Sequence, residues 1–509
     1  MKLLGLLDRL RNGGRLKQVY PMLVLHLYSL STAATSPSTV VEMAGNSNLA
    51  LADLSKIFSK ISLLVSKWNY TLHKAAALVA ERIREKNVKG FLQRLAHSLN
   101  MGVSLDGFMK IEYEKFLSTC MAEFDRSLEK TKKYIEAYSA LLTSSAFLSV
   151  SMLLTSMIYG MDMRQVLLTT TLMLSGSLAA LVFLIARAMP PDPVIHSEPA
   201  KPQLLLTLET LNTPIAVTSF LAAIAITLST LNLQPSGNLL IDSLTPIPLA
   251  FTVAGIPPLI IGRMGRRWVK KAENLDEHYA SFVKSLGDAL EVTGSLKGAC
   301  KILMMNDYGS INKLIQRLYK RLQIGFQQHK ALNRFGLESL STLILKMSRI
   351  IADNLLYGSR ASIYTKAVHD YSIKHLINRK KRRQVAGSLK GIAIPLQATL
   401  VAIAALISVL TKILSKFAAL IAPWFPVIAA VPQSEVSLFF TAISSATALA
   451  SAAALYYVEG DSKFTLTYNL GLLLALSGGV YYAASAASES LFRIFTQFEE
   501  GMTSLFEGM

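Results

Sequence analysis

The chain has 509 residues, 51% of them hydrophobic and only 17% charged, with a mean hydropathy of +0.39. That is too apolar for an ordinary multidomain soluble protein and describes an integral membrane protein, despite a net charge of +19. The two cysteines, Cys120 and Cys300, lie far apart without CxxC spacing, which excludes a disulfide framework and a cysteine zinc site.

In chain order, the opening "MKLLGLLDRLRNGG" has a short apolar stretch broken by Asp8 and Arg9, so it is not expected to be a secretory signal and the N-terminus is expected in the cytoplasm. Residues 1–139 are polar with helical periodicity and form a first cytoplasmic helical domain. Residues 140–262 carry four apolar segments, near 140–160, 166–186, 214–233 and 244–262. Each is about 20 residues, enough at ~1.5 Å per residue to cross a hydrocarbon layer of ~30 Å. A proline-rich cytoplasmic linker, near 187–213, separates the second from the third. Residues 263–390 form a second, strongly basic cytoplasmic helical domain. Three further spans, near 391–411, 436–457 and 465–487, occupy residues 391–487. Between them, 417–431 is short and broken by two prolines, and is expected to be an interfacial or re-entrant piece anchored by Trp424. Residues 488–509 make an acidic tail. None of the seven expected spans holds an Asp, Glu, Lys, Arg or His.

The charge is unevenly spread. Residues 1–139 carry a net +8 and residues 263–390 a net +16, whereas 140–262 carry −2 and 391–509 carry −3. Positive flanks are retained inside, so both polar regions are expected in the cytoplasm, with the tail after the seventh span outside. The fold class is therefore all-α and polytopic, a multi-pass protein of the cell membrane.

The two polar regions resemble each other. "FLQRLAHSLNMGVSLDGFM" (91–109) aligns without a gap to "LIQRLYKRLQIGFQQHKAL" (314–332), and "LVLHLYSLSTAATSPSTVV" (23–41) aligns more loosely to "FVKSLGDALEVTGSLKGAC" (282–300). Phe91, Leu95 and Leu99, like Leu314, Leu318 and Leu322, form a buried helical stripe. Gly102 and Gly325 are expected to end those helices, and Gly358 the helix of "MSRIIADNLLYG".

The ordered set "FLQRLAHSLNMGVSLDGFMKIEYEKF", "AYSALLTSSAFLSV", "FVKSLGDALEVTGSLKGACKIL", "INKLIQRLYKRLQIG", "MSRIIADNLLYG" and "RKKRRQVAGSLKG" resembles the archaellum assembly platform proteins, the FlaJ family. These belong to the type II secretion F-domain superfamily, which also serves type IV pili. The likeness runs from about residue 20 to 487 and includes the short "EGDSKF" loop (459–464). The chain departs at "STAATSPS", where Ala34 and Thr35 stand in place of a turn glycine. The resemblance implies two homologous cytoplasmic bundles and a non-enzymatic platform without cofactor. Its implied partners are a hexameric secretion-type ATPase, pilin or archaellin-like subunits and membrane lipid, with no nucleic acid. Small residues such as Gly176, Ser175 and "SSATALASAAA" (444–454) allow a compact bundle or a homodimer.

Arg317, Lys320 and Arg321 lie on one helix face opposite the Leu stripe, and with Lys330, Arg334 and Arg349 they are the candidate ATPase-docking cations. Arg349 and Asp353 are four apart, the spacing of a helical pair. The run Arg379, Lys380, Lys381, Arg382 and Arg383 precedes the fifth span and is expected to contact anionic lipid at the inner face, or the ATPase. No aromatic side chains interleave it, which argues against nucleic acid. No GxxxxGK[ST] loop, HExxH motif or GxSxG elbow is present, and His369 and His375 are six apart, on different helix faces. The alternative is a transporter or channel with cytoplasmic helical domains, against which stands the lack of ionisable residues in the spans. A signalling receptor lacks any supporting motif.

Overall fold

A computed structural model describes residues 20–33, 35–46, 52–159, 163–230, 247–421 and 433–506. These residues are helical apart from turns and one isolated bridge pairing Ile195 with Ser341. The short helices are α1 (20–31), α2 (Pro37–Asn46), α3 (Ala52–Trp68), α4 (Leu72–Arg82) and α5 (Lys86–Asn100). Then come α6 (Leu105–Tyr159), α7 (Met163–Ala188), α8 (Gln203–Thr230) and α9 (Ile247–Thr293). The second short set is α10 (Leu296–Leu303), α11 (Asn312–Gln323), α12 (Gln328–Glu338) and α13 (Thr342–Tyr357), followed by α14 (Ala361–Ile421), α15 (Gln433–Glu459) and α16 (Lys463–Phe506).

The chain divides into two compact units. The first takes the residues up to Asp125, Val194–Lys201 and Lys270–Lys380. The two polar regions, expected as separate domains, here share one apolar core. Leu25, Leu30, Phe58 and Phe91 from the first pack in the same cluster as Leu286, Leu318, Phe335 and Tyr364 from the second. Burying each such side chain contributes about 1.5–3 kcal/mol, so the shared core ties the two halves together. Polar contacts join the halves as well. The Tyr113 hydroxyl donates to the Ala367 carbonyl at 2.8 Å, Tyr28 stacks on Tyr113, and Asn354 Nδ2 donates to Ser29 Oγ at 2.8 Å.

The repeat is visible in the backbone. Ser295 caps α10 by accepting from the Gly298 amide, and Ser36 stands just before α2 at the aligned place. After α5, the amides of Gly102 and Val103 donate to the carbonyls of Leu99 and Ser98; after α11, those of Gly325 and Phe326 donate to Leu322 and Arg321. Both are the same left-handed helix ending, with Gly102 at φ +77° and Gly325 at φ +83°, where a side chain would be strained. Gly358 ends α13 in the same conformation.

The linker is not all loop. Residues from Gln203 onward are helical, and Val194–Lys201 belongs to the first unit. There the Thr342 amide donates to the Val194 carbonyl at 2.8 Å, His196 Nε2 lies 3.0 Å from the Leu337 carbonyl, and Glu198 pairs with Arg349.

The second unit takes Arg126–Pro193, Pro202–Val269 and the residues from Lys381. Among the described residues five helices are long and apolar enough to cross a membrane, within Gln165–Ala188, Gln203–Ala222, Ala361–Ile413, Glu435–Glu459 and Lys463–Phe492. The expected spans at 140–160 and 244–262 are not among these five; they fall in α6 and α9, and each lies partly outside the described residues. Most of 417–431, Trp424 included, also lies outside them. The expected tail is a continuation of α16 as far as Phe506.

Glycines let the backbones of α9 and α16 approach closely in this unit. A Cβ at Gly255 would lie 2.5 Å from the Ala475 amide nitrogen, one at Gly262 2.4 Å from that of Tyr468, and one at Gly471 2.4 Å from that of Leu259. Glycines seven apart on α9 share a face, so two backbones meet where no side chain fits. Gly176, by contrast, faces open space. Prolines stand inside α8 (Pro214), α9 (Pro257 and Pro258) and α14 (Pro395).

Candidate docking surface

The α11–α12 hairpin presents the candidate cations. Leu314, Ile315, Leu318 and Leu322 bury one face of α11, which turns Arg317 and Lys320 outward. Lys330 and Arg334 of α12 are exposed as well. Arg321 is not: its guanidinium is held by the Glu338 carboxylate, which Arg317 also approaches at 3.7 Å. Arg349 departs further from expectation. It turns inward to Glu198 Oε1 at 3.2 Å and Asn333 Oδ1 at 3.0 Å, so it braces the linker and makes no ion pair with Asp353. Four outward cations therefore remain of the six.

Asp353 faces His26 instead. Its Oδ2 lies 3.3 Å from His26 Nε2, off the line of a hydrogen bond, in the core of the first unit. Burial raises the Asp353 carboxyl to about 7 and lowers the His26 imidazole to about 3. Both side chains are thus neutral at mildly acidic pH, which removes the penalty of two buried charges.

The run at 379–383 also divides. Arg379 is buried, its Nη1 2.7 Å from Asp276 Oδ2, and Asp276 also accepts from the Ser341 hydroxyl. Arg382, in the second unit, donates from Nε to the Val458 carbonyl at 2.6 Å, from Nη2 to Tyr457 at 2.8 Å and from Nη1 to Pro190 at 2.7 Å. It caps the carbonyl end of α15 and fixes the chain leaving α7, a place where a cation suits the helix dipole. Both arginines are buried in these internal contacts, whereas Lys380 is exposed, and Lys381 and Arg383 are half-buried. His369 Nδ1 lies 2.8 Å from the Ala280 carbonyl, and His375 stacks on Tyr371.

Two apolar side chains stand beside the outward cations, at a place where the pattern indicated only a turn. Ile324 is 79% and Phe326 42% exposed, on either side of Gly325. The signal was present in "QIGFQQ", which sets an apolar residue on each side of the glycine that ends the helix. Cations around exposed apolar groups suit an acidic protein surface.

No family model matches the chain, and no solved structure matches it. Two curated relatives do. Flagella accessory protein J of Methanocaldococcus jannaschii is 25% identical over 347 residues, covering 66% of this chain and 60% of that protein. Flagella accessory protein J of Methanococcus voltae is 23% identical over 332 residues, covering 64% of this chain and 59% of that protein. The chain thus spans about three-fifths of the length of these relatives. With helices fit to cross a bilayer several times, and with the ordered motifs of its two polar regions, this multi-pass membrane protein is similar to the Flagella accessory protein J (FlaJ) proteins.

Proposed function

We propose that the chain is the membrane platform of an archaeal type IV pilus-like filament machine, an archaellum or a pilus, and that it couples a cytoplasmic secretion ATPase to insertion of pilin-like subunits. The observation that carries this reading is the length of three helices. α6, α9 and α14 have 55, 47 and 61 residues, each continuous from a polar stretch in the first unit to an apolar stretch in the second. A span needs only about 20 residues, so the excess gives each helix length to link a cytoplasmic bundle to the bilayer. A hexameric ATPase docks on Arg317, Lys320, Lys330 and Arg334. Lys380, Lys381 and Arg383 rest near anionic lipid, in keeping with positive flanks inside. The platform performs no catalysis of its own. The two polar regions are then the halves of a type II secretion F architecture.

The test is binding of the purified ATPase to the full-length protein in nanodiscs. Reversing Arg317, Lys320, Lys330 and Arg334 to Glu together should abolish it, and the wild-type interaction should weaken steeply between low and physiological salt. Unchanged binding of the reversed protein at low salt overturns the docking assignment.

A further inference from the structure

Three of the expected spans end around one aromatic ring in the second unit, and they bring two cations onto it. The span 244–262 ends four residues before Arg266 on α9, 391–411 begins just after Lys390 on α14, and 465–487 begins three residues before Tyr468 on α16. The Arg266 guanidinium carbon lies 4.8 Å from the centre of the Tyr468 ring, and the Lys390 ammonium lies 5.2 Å from it. All three side chains are half-buried. Two like charges on one ring repel each other unless an anion answers both.

The protein's own carboxylates answer only part of this charge. Glu459, at the end of α15, accepts from Arg266 Nη2 through Oε1 at 3.0 Å. Its charge also acts on Lys390, yet Lys390 makes no ion pair or hydrogen bond among the described residues. Asp461, the other carboxylate bearing on this corner, accepts from the Ser462 amide and from the Thr465 hydroxyl at 2.7 Å. Arg383 acts on Glu459 as a third cation, so three positive groups stand against two negative ones.

Beside Lys390 the surface of α14 is bare. Gly387, one turn earlier on the same side, and Gly391, next in sequence, are both exposed, and a Cβ on either would meet nothing within 4 Å. Pro395, one turn beyond Gly391, is exposed as well. This open face therefore runs from the basic end of the helix onto its apolar part.

We propose that Lys390 and Arg266 hold the phosphate of an anionic membrane lipid, whose headgroup rests on the Gly387–Gly391 face and whose acyl chain follows α14 past Pro395. The phosphate accepts from the Lys390 ammonium and from the Arg266 N–H groups that Glu459 leaves over. Basic pockets between helix ends at a membrane surface suit such headgroups, and tyrosine suits the same depth. A lipid whose headgroup carries its own cation brings that charge towards Arg266 and Lys390 and binds less well. Gly262 of α9 already meets the Tyr468 backbone, so the bound lipid joins α14 to that contact. The site needs only that the chain spans a bilayer, and it stands or falls apart from the docking reading.

Native mass spectrometry of the full-length protein in detergent counts bound lipids as phosphatidylglycerol or phosphatidylcholine is added. The first phosphatidylglycerol should bind at least ~5-fold more tightly than the first phosphatidylcholine. Lys390→Gln and Arg266→Gln should each weaken it about 5-fold, and together about 25-fold. Lys301→Gln, which removes an exposed charge from α10 in the first unit, should leave it at the wild-type value. Because Arg266→Gln also breaks the pair with Glu459, Gly387→Phe supplies a second reading. It enters open space, so the melting temperature in lipid-free detergent should not fall, while the covered face loses affinity at least ~5-fold. Equal binding of the two lipids, or wild-type affinity in Lys390→Gln or Gly387→Phe, overturns the site. Displacement of the first lipid by excess inorganic phosphate assigns these cations to free phosphate and overturns the lipid.

Discussion

Removing the carboxylate at 276 isolates one buried interaction. Asp276 is 1% and Arg379 8% exposed, and their 2.7 Å bond ties α9 to α14, with Ser341 joining at the head of α13. Asp276→Ala leaves the guanidinium in the core without its carboxylate and the Ser341 hydroxyl without its acceptor. Breaking a buried pair in this way costs about 3–5 kcal/mol. For a unit of roughly 250 residues, about 2–4 °C of melting temperature is lost per kcal/mol, which predicts a fall of about 6–20 °C. Thermal unfolding of the purified protein in one detergent, followed by circular dichroism, measures it. Asp276→Leu with Arg379→Met removes both charges and should recover most of the loss, since apolar replacement of a whole buried pair is close to neutral. A shift under about 2 °C for Asp276→Ala, or a double variant as unstable as the single, refutes the reasoning.

Three further outcomes follow from particular contacts. Gly255→Val forces apart the α9 and α16 backbones and should cost at least about 1–3 kcal/mol in detergent unfolding, whereas Gly176→Val, facing open space, should be silent. For the His26–Asp353 pair, the Asp353 contribution declines as pH rises from 3.8 towards about 7, while that of His26 grows from about 3 towards 6.5. The two slopes offset between about 4 and 6.5 in the wild type. Asp353→Asn leaves the His26 slope alone, so stability should then rise with pH at up to ~1.4 kcal/mol per unit in that window, and a flat profile refutes the assignment. Arg382→Ala strips donors from three carbonyls, worth about 1–3 kcal/mol each when buried, and should speed proteolysis at Pro190–Pro193; unchanged cleavage refutes the clamp.

Much of the helical layout was legible because apolar spacing and glycine endings are local properties. The Leu314–Leu318–Leu322 stripe and the bends at Gly102 and Gly325 stand where the pattern put them. Burial within the basic run was harder to see, since charge suggests solvent. Yet Arg379, Arg382, Ala386 and Leu389 recur at helical spacing on one face, and all are buried. What the sequence could not reveal was partnership over distance. Nothing local tells that Asp353 meets His26, that Arg349 holds Glu198, or that two polar regions close around one core.

The proline within α14 gives that helix a preferred point of bending. Pro395 has no amide hydrogen to offer the carbonyl of Gly391, and the Cβ positions of Gly387 and Gly391 face open space. A 61-residue rod is otherwise stiff along its length, held by one hydrogen bond per residue. Flexure of this helix therefore concentrates in the turn from 391 to 395.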